Sequence, residues 1–318
     1  MNSKTSTSHP KPSSNVEPAP RALPIRGARG AALRGWIFIA PALLAYSAFV
    51  LWPIVQTIRY SFYNWDGVAP AQWAGIGNYK TVFTNSLLTA VLGHAFELIV
   101  FFSGIPVVLG LLIATVMRRF ITGRMSTVAR TVLFLPQVVP LVAAGIAWSW
   151  MLSTNGAVNQ IFKSVGLGSW TRAWLGDFST SLPAVGVIGA WVLLGLCTVL
   201  LFAGMAKIDP ALYEAAQLDG ASSIREFFAI TLPGLRQEIA VCVTITMISA
   251  LSAFDIVYIA TQGGPGDTTM VPGLEIYQLA FFNRQVGLAS ALALVLMVLV
   301  IICILPIQWL ARRGSVEQ

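Results

Sequence analysis

Among the ionisable side chains that stand inside long apolar runs of this 318-residue sequence are His94, Glu97 and Asp255. His94 and Glu97 are three residues apart and share a helix face, a spacing that serves a proton relay, a hydrogen bond, or a mutually satisfied structural pair. Asp255 can accept a hydrogen bond from a solute hydroxyl or brace the end of its own helix. Thr246, Ser249 and Ser252 fall at helical spacing on one face, with Trp191 in the preceding apolar run. Such small polar residues either line a route or let membrane helices pack closely. No spacing assembles a nucleophile, base and oxyanion donor, and none has the pattern of metal ligands, so neither a catalytic residue nor a metal site is expected.

The elements that must hold these side chains are apolar. The sequence is 56% hydrophobic and 10% charged, where a soluble domain carries about 25% charged residues. Six stretches meet the ~20 residues needed to cross a bilayer as a helix: residues 36–58, 87–117, 128–152, 182–205, 239–260 and 288–310. They are continuously apolar, without the alternation of barrel strands, and a helix satisfies its own backbone in lipid. The expected fold is an all-α integral membrane protein with six transmembrane helices spanning residues 35–313. Prolines at 41, 53, 106, 136, 140 and 306 predict kinks.

A net charge of +7 invites a nucleic-acid reading, but the basic residues sort by membrane side. With the amino terminus inside, only Arg59, Lys80, Lys163, Arg172 and Arg284 lie outside, a three-to-one bias that places both termini in the cytoplasm. Lipid, not nucleic acid, is the expected surrounding. Residues 1–34 are rich in Ser, Thr, Pro and Arg and read as a disordered cytoplasmic tail. The first apolar run is too late and too long for a cleaved signal peptide. Cys197, Cys242 and Cys303 all fall inside spans and form no disulfide framework.

The inside loop 206–238 is the most ordered-looking polar stretch. Asp209 caps a helix with Pro210 at its first position, and Asp219-Gly220 stops it. A second helix starts at Ser223, with Glu226 completing a capping box, and runs to an interruption at Pro233. Two stiff helices around a glycine turn make a knob whose apolar faces need burial, either on this chain or on a partner.

Here the chain resembles a family. Glu214-Ala215-Ala216, Asp219-Gly220-Ala221, Phe228, Ile230, Leu232 and Pro233 are similar to the EAA loop of ABC importer permeases, with Gln237 where that family commonly has a second proline. Phe254-Asp255-Ile256-Val257-Tyr258 with Gly263-Gly264-Pro265, and Gly75-Ile76-Gly77-Asn78-Tyr79 with Phe83, resemble carbohydrate-type permeases. Trp148, Trp150, Gly156 and Asn159 look like the first permease of the maltose and glycerol-phosphate type.

The resemblance implies that the loop residues couple to an ATPase. It also implies a second permease chain, two ATPase subunits, an extracytoplasmic binding protein that delivers a sugar, and a bacterial or archaeal plasma membrane. A polyol path needs hydroxyls, amides and aromatic faces, for which Thr246, Ser249, Ser252, Asp255 and Trp191 are the candidates. No lysine follows a glycine, so the chain has no G-x-x-x-x-G-K-[ST] phosphate loop; ATP and Mg would be bound by the ATPase partner and this chain needs no cofactor. Two alternatives remain at this stage: a proton-coupled secondary transporter, for which His94 and Glu97 are the positive hint, and an ABC permease for a non-sugar solute.

Overall fold

The computed structural model describes residues 28–121 and 123–313. Most of the expected tail lies outside the described residues. Its last part does not: a helix begins at Ala28 and runs through Ala28–Tyr46, because Ala31, Ala32 and Leu33 are strong helix formers.

The chain divides into two compact units at Pro53. The first, where described, is this helix and a wide helical turn, Ser47–Leu51. The second holds the rest of the described residues. Four helices are long and apolar enough to cross a membrane: Phe38–Tyr60, Ser86–Phe120, Ser181–Met205 and Val286–Ala311. Two further helix pairs pass the same test of length and composition only when taken together, and both are sharply bent: Gly123–Val138 with Leu141–Met151 at 96° and Ser223–Gly234 with Arg236–Leu251 at 69°.

The central helix, Ser181–Met205, is apolar on every side because the bundle surrounds it. Leu98, Phe102, Val185, Ile188, Val257 and Leu274 close one core around it, and Leu111, Cys197, Leu201 and Leu235 close another. Glycines let its neighbours approach. A Cβ on Gly189 would sit 1.9 Å from the Phe102 ring, and one on Gly195 would sit 1.9 Å from the Leu133 carbonyl oxygen. Without a hydrophobic drive between helices in lipid, this close packing is what holds them together.

The breaks have local causes. Pro140 lacks an N–H and excludes Val139 from helical geometry, so the kink expected within 128–152 appears there as a 96° turn. The expected span 239–260 is interrupted too, at residues 252–254, before Asp255–Ala260 resumes. No proline marks that interruption; Ser249 and Ser252 donate to the Ile245 and Ile248 carbonyls at 3.0 and 2.5 Å, the local bonding by which serine bends helices.

Outside the spans, a two-residue antiparallel ribbon pairs Tyr63 with Trp73 and Asn64 with Gln72. Buried Asn159 braces the 153–181 segment, donating to the carbonyls of Ser153, Thr154 and Arg172 and accepting from Trp174 Nε1 at 2.8 Å.

Candidate functional site

The two breaks lie close together against the central helix. Between them lies a cleft of about 290 Å³, lined on one side by Gln137, Val139 and Leu141, on the second by Gly189, Val192 and Leu193, and on the third by Ser249, Ser252, Phe254 and Asp255. Gln137 Oε1 is buried there without a hydrogen-bond partner, and a buried polar group in that condition costs free energy until something pairs with it. Because Ser249 and Ser252 spend their hydroxyl protons on their own helix, their oxygens remain as acceptors, and the Asp255 carboxylate adds another. Phe254 adds an aromatic side chain. The arrangement suits a small, hydroxyl-rich solute with an apolar side.

The structure divides the sequence-selected path residues. Ser249, Ser252 and Asp255 meet at the cleft. Thr246 does not: it is fully buried and its Oγ1 lies 2.7 Å from Ser103 Oγ and 2.8 Å from the Cys242 carbonyl, sealing a helix contact. Steps of three residues drift around a helix, which carries Thr246 off the face of Ser252. Trp191 packs edge-to-face on Trp148 at 5.5 Å, away from the cleft lining. Gln137 and Gly189 were missed; the available signal for the first was a lone amide between Pro136 and Pro140.

His94 and Glu97 do not form the expected pair. His94 Nδ1 lies 2.8 Å from the Met270 carbonyl, while Glu97 is exposed and shares no hydrogen bond or ion pair with His94 among the described residues. The histidine anchors the segment that follows the fifth apolar run, so it has a structural partner.

The knob is built from two helices, Pro210–Leu218 and Ser223–Glu226, the latter running on through Phe227–Thr231. Asp209 accepts from the Ala211 N–H at 2.9 Å, and Gly220 takes φ +72°, a left-handed value that suits glycine. The second cap is Ser222, one residue earlier than expected, accepting from the Arg225 N–H at 3.4 Å. Pro233 does not stop this helix. Ser223–Gly234 runs past it as one helix, and the break comes at Leu235.

Glu214, Ala215, Asp219, Gly220, Phe228 and Pro233 are exposed, whereas Ala216 and Ala221 are half-buried. Leu232 is half-buried and packs against the second core. Unexpected apolar groups join the outer face: Leu218 is 89% exposed and Ile224 72%.

Residues 106–315 match the family described as the binding-protein-dependent transport system inner membrane component. The probable ABC transporter permease YurN of Bacillus subtilis is 33% identical over 275 residues, covering 83% of this chain and 91% of YurN. The diacetylchitobiose uptake permease NgcF of Streptomyces coelicolor is 31% identical over 274 residues, covering 81% and 76%. A bacterial ABC transporter that imports alginate shares the fold, with a TM-score of 0.75 at 22% identity over 90% of this chain and 98% of that one.

Fold and apolar spans together define a multi-pass membrane permease of the ABC importer type. The chain belongs to the family of binding-protein-dependent transport system inner membrane components.

Proposed function

We propose that this chain is one of two permease subunits of an ATP-driven importer for a sugar or related polyol. The observation that carries the proposal is the cleft where two broken spans bring Gln137, Ser249, Ser252 and Asp255 together. Relatives support the solute class: one is named for starch degradation products, in Thermoanaerobacterium thermosulfurigenes, and one for multiple sugars, in Streptococcus mutans.

In this reading an extracytoplasmic binding protein delivers the solute. Two ATPase subunits receive the Glu214–Pro233 knob and hold ATP and Mg, because this chain has no phosphate loop. The membrane in this reading is a bacterial or archaeal plasma membrane, and the basic-residue bias supports cytoplasmic termini. Exposed Leu218, Ile224 and Phe228 give the knob an apolar docking face.

The test is to purify the tagged chain from its own host in mild detergent and identify what accompanies it, then repeat with Glu214→Ala combined with Gly220→Pro. Recovery of a second permease and an ATPase, the ATPase lost from the variant, is expected. A chain that purifies alone and transports on a proton gradient overturns the proposal.

A further inference from the structure

We propose that a recess behind the knob binds the phosphate of an anionic phospholipid. The recess, about 340 Å³, lies between the end of the Ser86–Phe120 helix and the two knob helices, and Arg118, Arg119, Tyr213, Ser223 and Glu226 line it.

Arg118 carries the argument. Its Nη1 is buried and has no hydrogen-bond partner. Its guanidinium lies over the Tyr213 ring, 4.1 Å from the centroid, a stacking that fixes the plane and leaves the N–H edge for a ligand. Arg119 stands beside it and donates to Ser223 Oγ. Glu226 is the one carboxylate in the lining and has no ion pair among the described residues, so two guanidinium charges meet a single negative one. A planar fork of N–H donors with surplus positive charge matches phosphate oxygens.

The rim selects the source. Val116 is 51% exposed and Phe120 71% exposed, so an apolar edge borders the charged floor where the helix leaves the hydrocarbon. A phosphodiester headgroup on Arg118 with its acyl chain along Val116 and Phe120 satisfies both, and the inner leaflet is rich in such anions. A free phosphate ion shares the headgroup chemistry but leaves the apolar rim unused. Binding itself needs no ATPase; that it would tune coupling rests on the proposed docking role of the knob, because the recess ties the membrane helix to both knob helices.

The test is native mass spectrometry of the full purified chain with phosphatidylglycerol, phosphatidylcholine or inorganic phosphate added separately. One phosphatidylglycerol is expected to bind about tenfold more tightly than phosphatidylcholine, and Arg118→Gln to remove that preference while Arg118→Lys keeps part of it. If inorganic phosphate alone raises the melting temperature of the parent and not of Arg118→Gln, the phosphate site stands with the free ion as its source. Equal binding of the two lipids, without any effect of phosphate, overturns it. Should Arg118→Gln fail to fold, Glu226→Gln gives the opposite sign: tighter phosphatidylglycerol binding supports the site, and unchanged binding overturns it.

Discussion

The Tyr213 hydroxyl lies 3.0 Å from the Thr231 hydroxyl, tying the first knob helix to the buried end of the second. The knob is therefore one stiff body rather than two loose turns. Tyr213→Phe removes this bond and leaves Thr231 unpaired, at a cost of about 1 kcal/mol. Hydrogen exchange at residues 223–231 is expected to quicken about fivefold while the spans keep their protection.

Leu218 offers a cleaner separation of docking from folding. At 89% exposure, Leu218→Asp is expected to change stability by less than about 0.5 kcal/mol. Uptake by the assembled importer should nevertheless fall by at least about tenfold, as for an apolar interface anchor. Leu232→Asp, on the inward side, should instead lose folded protein, read by size-exclusion profile.

Gln137→Leu replaces the unpartnered amide with an apolar side chain of similar size. The half-saturating solute concentration is expected to rise by roughly five- to tenfold, the loss of one or two hydrogen bonds. Ser252→Ala should act in the same direction. Thr246→Ala should lower the melting temperature with little effect on half-saturation, because Thr246 bonds Ser103 rather than facing the cleft.

Gly195 tests the helix packing. A side chain there meets the Leu133 carbonyl oxygen, a backbone atom that cannot rotate away. Gly195→Val is expected to cost about 3 kcal/mol or more and to abolish monodisperse protein. Gly168→Ala, where nothing lies within 4 Å, should leave the elution profile unchanged.

Glu275 supplies a pH dependence. It lies outside the candidate spans and is 4% exposed. Burial, and secondarily the Asp267 charge, raise its carboxyl above the ordinary range. The folded state thus prefers the protonated form. Its contribution is fully present below the ordinary carboxylate value and is lost as pH rises through the folded-state value. Glu275→Gln should melt above the parent at about pH 8 and alongside it at about pH 4.

Apolar runs announce a helical membrane bundle because no soluble surface tolerates them. Pro140 marks one break openly. The break at residues 252–254 was hidden because Ser, Ala and Phe carry no breaker, and only the bonding of Ser249 and Ser252 back to their helix reveals it. His94 reads as a partner of Glu97 by spacing, whereas its actual partner, Met270, is 176 residues away. Adjacent Ser222 and Ser223 are equivalent as letters, and only backbone geometry decides which one caps. Arg118 was legible as a charge at the end of a span, but the fold alone places Tyr213 beneath it.

The 96° turn at Pro140 also has an evolutionary side. It leaves the last carbonyls of one half-helix and the first amides of the next without partners inside either half. Polarity inside this apolar run is thereby supplied by the main chain rather than by any one side chain. Under the proposed function, a lineage can exchange the side chains around such a turn, and with them its preferred cargo, without ever passing through an ancestor whose passage was greasy from end to end.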